Sequence, residues 1–488
     1  MQKAIVIGSG IAGLAAAIRL RVKGFEVEVF EANAYPGGKL SVIEKDGFRF
    51  DAGPSLFTLP QYVDELFALA GKNPRDYFNF IKIDKACDYF YEDGTQLQAW
   101  AEPSVFAEEV ERKTGVKKEA ILKKLKSASY RYEKASRIFL ENNLRDVNTW
   151  LSKDVVSALT QIHKLGIFGS MHEENAKEFQ DERLVQLFDR YATYNGSDPY
   201  RAPGILNSIP HLEHNIGTFF PKGGMYAITQ SLFELCKSLG VDFQFNTAVE
   251  EILLKDKKAL GIRTKNEAHY ADYIFCNMDV FHAYHKLLPA QAAPKRVLNQ
   301  ERSSSALIFY WGIKKTFDKL SLHNIFFSQN YQAEFDHIFQ KKSLYHDPTV
   351  YINISSKYEV ADAPSGCENW FVMINVPANT GQDWDTWIPL AREHIINKLS
   401  RMLQTDINDL IVCEEMLEPR SIESKTSSYR GSLYGTSSNN QFAAFLRHPN
   451  QNSKIKNLYF CGGSVHPGGG IPLSLLSAKI ATQMLLNN

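Results

Sequence analysis

The sequence has few cysteines, no long apolar run and no excess of either charge. Its six cysteines lie far apart with no CxxC spacing, which is typical of reduced thiols in the cytoplasm rather than of a disulfide framework or a zinc site. No stretch approaches the roughly 18 consecutive apolar residues of a membrane-spanning helix. Lysine plus arginine and aspartate plus glutamate both number 55. We therefore expect a cytoplasmic chain without a metal site or a nucleic-acid partner, either soluble or bound to a membrane surface.

The N-terminal segment has the pattern of a dinucleotide-binding unit. The apolar run 4–7 predicts a buried strand, the glycine turn 8–13 follows it, and a helix and a second strand at 26–30 lead to Glu31. A strand, a GxGxxG turn, a helix and a strand that ends in an acid place a pyrophosphate at the helix N-terminus and a ribose beside the carboxylate. A glycine-rich turn without a ligand is disfavoured, because every part of the unit is in register. The candidate binding residues are Gly8, Ser9, Gly10, Ala12, Gly13 and Glu31.

Two further glycine segments follow this acid. Ala32 begins a stretch that ends in Gly38 and Lys39, and Gly53 and Pro54 form a second turn. The first stretch resembles the second flavin signature of glutathione-reductase-like and amine-oxidase-like proteins, in which arginine is usual at the position of Lys39. Lysine is a point charge without the planar fork of arginine. The resemblance implies that these five residues contact FAD.

The C-terminal segment adds another glycine loop. Residues 458–461 predict a strand that leads to Gly463, and the loop through Gly470 and Ile471 enters a helix from about Leu473. Backbone that lacks side chains can approach a flat ring, and free N–H groups at a helix N-terminus suit the electron-rich edge of a reduced flavin. We therefore expect Gly463, Gly470 and Ile471 to contact the cofactor.

This loop and four internal segments resemble the bacterial-type phytoene dehydrogenases, the carotenoid desaturase family. The four segments are residues 220–225, 246–249, 276–279 and 305–313. The resemblance assigns an adenine contact to Val249. Residues 190–194 and 466–473 are more similar to the 1-hydroxycarotenoid 3,4-desaturases than to the phytoene desaturases.

The resemblance implies an FAD-dependent desaturase that acts on a linear C40 carotenoid. A hydride passes to flavin N5 and a neighbouring proton is lost, which forms a C=C bond. Because the cofactor performs the demanding step, no side chain is assigned as catalytic. The polar candidates for the substrate cleft are Tyr194, Asn195 and Tyr434. The alternatives are a phytoene desaturase, a carotenoid isomerase and a flavin-free protein similar to GDP-dissociation inhibitors, and oxygen and a quinone are both open as electron acceptors.

The positions of the motifs predict an α/β fold with interleaved domains. We expect a Rossmann-type FAD-binding domain, similar to that of glutathione reductase and the amine oxidases, from residues 1–75, 220–300 and 420–488. Residues 76–219 and 301–419 are then an α+β substrate-binding domain. Substrate clefts are common at such domain interfaces.

A basic stretch at residues 112–137 is a candidate for contact with a membrane surface. Ten basic residues stand against two acidic ones there, and apolar residues recur at helical spacing. A solvated helix face and contact with anionic lipid headgroups are both open interpretations. A substrate dissolved in the bilayer favours the second, so we expect peripheral membrane association. Residues 155–171 suit a membrane-dipping element or ordinary core, with core preferred.

Overall fold

A computed structural model describes residues 1–144, 147–151, 165–291 and 293–486. The strands are β1 (Lys3–Ile7), β2 (Glu26–Phe30), β3 (Val42–Lys45), β4 (Phe48–Asp51), β5 (Phe80–Lys82), β6 (Lys85–Phe90), β7 (Gln96–Trp100), β8 (Phe219–Pro221), β9 (Asp242–Gln244), β10 (Val249–Lys255), β11 (Lys258–Thr264), β12 (Ala268–Tyr270), β13 (Tyr273–Cys276), β14 (Ser305–Ile313), β15 (His323–Phe326), β16 (Val350–Asn353), β17 (Glu368–Val376), β18 (Ile411–Leu417) and β19 (Leu458–Phe460). The α-helices are α1 (Ile11–Val22), α2 (Gln61–Leu69), α3 (Pro103–Thr114), α4 (Lys118–Arg131), α5 (Arg137–Glu141), α6 (Val147–Trp150), α7 (Met171–Glu178), α8 (Glu182–Asp189), α9 (Tyr226–Ser238), α10 (Val280–His282), α11 (Lys295–Leu298), α12 (Tyr331–Asp336), α13 (Trp384–Leu403), α14 (Pro419–Thr426), α15 (Ala443–Leu446) and α16 (Ile471–Leu486).

Five strands form a parallel sheet in the order β19-β13-β1-β2-β9. The apolar residues of β1 are buried, as expected for a central parallel strand that is covered on both faces. Helix α1 packs beside β1 and β2 through three fully buried alanines, Ala15, Ala16 and Ala17. Their small side chains let the helix approach the strands closely. The predicted Rossmann-type α/β fold is confirmed.

A second sheet has seven strands in the order β18-β14-β17-β16-β15-β6-β7. One face, with the buried Trp311 and Trp370, packs on α13. Residues paired directly across neighbouring strands share a face of the sheet. The register therefore places one set of side chains on the opposite face, which we call the inner face. Its members are Tyr89, Ile308, His323, Ile325, Tyr351 and Met373.

The inner face lies between two different sets of neighbours. Near β14, the Tyr310 hydroxyl donates a hydrogen bond to the Ala52 carbonyl at 2.7 Å, which joins the sheet to the segment that follows β4. At the other end, helices α3, α4, α7 and α8 and the 3-10 turn Arg190–Asn195 pack against β6 and β15 in one apolar cluster. The inner face thus extends from the glycine segments to the helical part of the chain.

Candidate active site

The predicted dinucleotide turn connects β1 to α1. Gly8 has a φ of 92°, in the left-handed region that favours glycine. A Cβ atom on Gly13 would lie 2.1 Å from the Gly8 carbonyl oxygen, so only glycine allows α1 to start this close to the turn. Gly10 is the N-cap of α1, and no described side chain caps that helix. The first-turn N–H groups of α1 are therefore available to an anion.

Glu31 follows β2 and is 6% exposed. Its Oε2 accepts hydrogen bonds from the N–H and the hydroxyl of Ser9, both at 2.8 Å. Its Oε1 accepts from the backbone N–H and the side-chain amide of Asn33, both at 2.9 Å. These four bonds orient the carboxylate beside the glycine turn. The motif identified Ser9 as a turn residue, but the contact of its hydroxyl with Glu31 has no local sequence signal.

The other predicted contacts of the dinucleotide lie close to this acid. Ala32 follows it directly, and Ala12 is buried in the first turn of α1. The N–H of Thr247 donates to the Glu31 carbonyl at 2.8 Å, and β10 begins two residues later at Val249. The fold therefore brings these predicted residues together although they are far apart in sequence.

The second glycine segment lies against the first. Gly10 and Gly37 pair as an isolated bridge, and a Cβ on Gly38 would lie 3.6 Å from the Gly10 Cα. A Cβ on Gly53 would lie 1.8 Å from the Lys39 carbonyl oxygen. Pro54 follows directly in the same turn. Only glycine at position 53 permits this backbone crossing.

Lys39 is partly buried, and its side chain binds the backbone of a distant segment of the chain. Its ammonium donates to the carbonyls of Ser432 at 3.3 Å and Leu433 at 2.7 Å. Burial lowers the pKa of Lys39 to about 8, against the attraction of Asp279. The side chain therefore joins the second glycine segment to the segment before the C-terminal loop.

The C-terminal glycine loop packs tightly on one side and is open on the other. A Cβ on Gly463 would lie 3.2 Å from the Gly469 Cα, and a Cβ on Gly469 would lie 2.7 Å from the Tyr434 Cα. By contrast, a Cβ on Gly470 would meet no atom within 4 Å. Open space therefore borders the start of α16. The expected start of this helix at about Leu473 is wrong, because α16 begins at Ile471 and a proline in the first helical turn sacrifices no hydrogen bond.

These features fit FAD. A side-chain-free turn and uncapped N–H groups suit a pyrophosphate, the buried Glu31 suits a ribose, and the open space at Gly470 suits a flat ring beside the N-terminus of α16. The three glycine segments would hold the cofactor, and it would supply the hydride acceptor.

The predicted substrate residues Tyr194, Asn195 and Tyr434 are all partly buried, but they contact different groups. The ring of Tyr434 adjoins Gly196, since a Cβ there would lie 2.9 Å from the Tyr434 Cδ2. Burial raises the pKa of Tyr434 to about 12, which keeps the phenol neutral. Asn195 precedes Gly196 in the 3-10 turn. The Tyr194 hydroxyl instead donates to Glu213 at 2.8 Å.

A buried charged cluster surrounds Tyr194, and the sequence motifs did not indicate it. The Arg190 guanidinium donates to Glu213 at 2.9 Å and to the Tyr89 hydroxyl at 2.5 Å. The His214 ring lies 3.0 Å from the Tyr191 hydroxyl. Arg190 and Glu213 are separated by 22 intervening residues, so no local pattern predicts the pair.

Arg447 was also missed, although it supports the C-terminal loop. Its guanidinium donates to the Pro467 carbonyl at 2.9 Å and to the Ser438 hydroxyl at 3.0 Å. A Cβ on Gly468 would lie 3.0 Å from the Arg447 Cζ. The arginine therefore packs directly beneath the loop residues that precede α16.

The basic stretch is only partly available to lipid. Lys124 is 3% exposed and pairs with Glu178 at 3.0 Å, while Arg131 pairs with Glu174 at 2.5 Å. Lys123 and others on the same segment are exposed. Of residues 155–171, the part 155–164 lies outside the described residues. In the described ranges, no helix is long and apolar enough to cross a membrane.

Comparison with known proteins identifies the class. Residues 11–486 match the family described as flavin containing amine oxidoreductase. The cyclohexylamine oxidase of Brevibacterium oxydans IH-35A shares the fold, with a TM-score of 0.62, 15% sequence identity and complete coverage of both chains. The fold and the family together define an FAD-dependent oxidoreductase.

The sequences of two relatives identify the family within this class of oxidoreductases. The 1-hydroxycarotenoid 3,4-desaturase of Flavobacterium sp. (strain P99-3) is 54% identical over 487 residues, which cover 100% of this chain and 99% of the relative. The zeta-carotene-forming phytoene desaturase of Myxococcus xanthus is 31% identical, with 99% of this chain and 94% of the relative covered. The chain belongs to the flavin-containing amine oxidoreductases and, within them, to the carotenoid desaturase family. The predictions of the family and of FAD as the cofactor are confirmed.

Proposed function

We propose that the protein introduces the 3,4 double bond into linear C40 carotenoids that have a hydroxyl group on C1. The observation that carries this proposal is the 54% identity over the whole chain to a 1-hydroxycarotenoid 3,4-desaturase. Identity to a phytoene desaturase over nearly the same span is 31%. The higher value favours the hydroxylated substrate over phytoene.

In this proposal FAD lies across the glycine segments. The pyrophosphate binds at residues 8–13, the ribose hydroxyls bind Glu31, and the adenine lies beside Val249. The ring system lies along the C-terminal loop at Gly463 and the start of α16. The open space beside Gly470 and the absence of a described side-chain cap on α1 support this placement. The division into FAD-binding and substrate-binding domains at the predicted boundaries belongs to the same proposal.

When bound, FAD would supply the acceptor for the hydride that the carotenoid loses. One hydride and one proton leave adjacent carbons, and the electron pair of the second C–H bond forms the new double bond. The chain orients the polyene and excludes water. Apolar inner-face residues such as Ile308 and Met373 offer a surface for the polyene. The backbone of Tyr434 packs on the loop glycine Gly469, and its neutral ring lies beside Gly196. Developing positive charge is spread over the conjugated chain, so a weak base suffices to accept the proton.

Peripheral membrane binding is the second part of the proposal. The exposed apolar side chains include Phe168 (78%), Phe442 (56%) and Phe445 (46%), and the Phe445 ring packs on Phe139 of α5 and Trp150 of α6. The residue that follows α5 contacts the C-terminal loop, because the His466 Nε2 lies 2.9 Å from the Asn142 carbonyl oxygen. An apolar surface at this position suits entry of a substrate from the bilayer.

The test of the reaction is a comparison of substrates. Purified protein loaded with FAD is incubated with liposomes that contain a 1-hydroxylated acyclic carotenoid or phytoene. The products are separated by chromatography and their masses are measured by mass spectrometry. We expect loss of two hydrogens from the hydroxylated substrate and little turnover of phytoene. Efficient conversion of phytoene to lycopene contradicts the proposed substrate, and a product of unchanged mass indicates isomerisation instead.

A further inference from the structure

The inner face contains a buried histidine with an unused donor. His323 is 3% exposed, at the start of β15. Its Nδ1 lies 2.8 Å from the Tyr351 hydroxyl and 3.2 Å from the Asn353 amide nitrogen. Its Nε2 is buried and has no hydrogen-bond partner among the described residues. A buried polar atom without a partner costs free energy, so such an atom points to a ligand group.

We assign the proton of the ring from its contacts. The Asn353 amide nitrogen, which also donates to the Leu322 carbonyl at 3.1 Å, can only donate, so the His323 Nδ1 is assigned as the acceptor. Burial lowers the pKa of His323 to about 4, and the ring is therefore neutral at physiological pH. A neutral ring that accepts at Nδ1 has its single proton on Nε2. The unused atom is thus a hydrogen-bond donor that requires an acceptor.

The surroundings of this donor are polar at one end and apolar at the other. The Arg190 guanidinium lies 5.1 Å from the centre of the Tyr89 ring, which shares the inner face with His323. The Nε of Arg190 is likewise buried without a partner among the described residues. Ile325, two residues along β15 on the same inner face, belongs to the apolar cluster that also contains Tyr89 and Tyr191. A mostly apolar molecule with one terminal polar group matches this arrangement.

The donor is also close to the proposed flavin site. The Tyr351 hydroxyl that contacts His323 lies 2.8 Å from the Ser55 hydroxyl. Ser55 directly follows the turn of Gly53 and Pro54. His323 is therefore two hydrogen bonds away from a turn that is proposed to run beneath the cofactor. In the proposed substrate, one carbon separates C1 from C3, and the reacting bond joins C3 to C4. The hydroxyl on C1 must therefore lie near the reacting bond.

We propose that the Nε2–H of His323 donates a hydrogen bond to the C1 hydroxyl of the carotenoid and selects hydroxylated substrates. This inference rests on the proposed function. Carotenoids that lack the hydroxyl leave the His323 donor unpaired in a buried site, and a site built to bind a hydroxyl discriminates against such analogues. Arg190 and Glu213 are then the charged neighbours that complete the polar end of the site.

The test compares selectivity in three variants. Selectivity is the ratio of kcat/KM for a 1-hydroxylated carotenoid to that for the same carbon skeleton without the hydroxyl, with both offered in one liposome preparation. In His323→Phe we expect this ratio to fall about tenfold, equivalent to ~1.4 kcal/mol. In His323→Gln, whose amide can donate near the Nε2 position, we expect a large part of the ratio to return. His448→Phe is the matched control, because both nitrogens of that buried ring already have partners within the chain, the Tyr284 hydroxyl at 3.0 Å and the Pro449 carbonyl at 2.7 Å, and its ratio should equal that of the wild type.

A second measurement of selectivity does not require turnover and therefore applies to a variant that has lost activity. The affinity of the oxidised protein for each carotenoid is measured through the absorbance change on binding, with FAD content and unfolding temperature recorded. An unchanged affinity ratio in a folded, FAD-loaded His323→Phe protein overturns the inference and assigns Nε2 to a structural water. A wild type that prefers the non-hydroxylated skeleton overturns the proposed function and this inference together. A wild type that retains its preference while His323→Phe also retains it overturns only the inference.

Discussion

The cofactor assignment can be tested with two glycines in open positions, of which only one borders the proposed flavin site. Gly470 has a φ of 111° and Gly24 a φ of 87°, and a Cβ on either would meet no atom within 4 Å. Alanine at each position therefore causes backbone strain of about 1–2 kcal/mol without a clash inside the chain. We expect Gly470→Ala and Gly24→Ala to lower the unfolding temperature of FAD-free protein by a similar amount, roughly 1–4 °C.

The two variants should differ once FAD is present. The methyl group at position 470 would enter the space proposed for the ring, whereas position 24 is exposed at the end of α1. We expect at least a tenfold weaker FAD affinity for Gly470→Ala and an unchanged affinity for Gly24→Ala, measured by titration of flavin fluorescence. Equal FAD affinity in both variants would refute the placement of the ring at the start of α16. Unequal stability of the FAD-free proteins would refute the assumption of equal strain.

Two further predictions concern charge. The pKa of Lys39 is lowered to about 8 in the folded protein. The unfolded chain therefore binds more protons between about pH 8 and 10.4, and the free energy of unfolding should rise with pH across that window. The difference in urea-unfolding free energy between wild type and Lys39→Met should change with pH in the same window, and a constant difference contradicts the burial of a titrating ammonium. Reversing the charge of the exposed Lys123 and Lys126 should weaken sedimentation of the protein with anionic vesicles at low salt. Reversing the charge of Lys255 and Lys258, which are exposed on a β-hairpin, should not weaken it. Equal effects would assign vesicle binding to net charge alone.

The glycine motifs could be predicted from sequence because their function is local. Gly13 must be glycine since a Cβ there would meet the Gly8 carbonyl, five residues away. Such a requirement appears in the sequence as a spacing. The start of α16 differs by two residues from the prediction. Pro472 is the second residue of the helix, where the N–H that proline lacks has no partner within the helix.

The buried polar groups could not be predicted in the same way. Arg190 and Glu213 meet only after the helical segment packs on the inner face, and the His323 donor depends on the pairing of three strands. The basic stretch shows the same limit. Charge and helical spacing do not distinguish the exposed Lys123 from the adjacent Lys124, which packing against Glu178 buries.

The order of strands in the parallel sheet has a consequence for synthesis of the protein. β1 and α1 are made well before elements that they join, because the β1 neighbour β13 pairs with β19 near residue 460 and α1 packs on α16. Most domains fold from the N-terminus during translation. Here the glycine turn of α1 waits for a partner helix that is made about 460 residues later, at about 5–20 residues per second. The face of α1 that packs on α16 therefore remains uncovered until residues 471–486 have been made, and the cofactor site lacks its C-terminal loop until then.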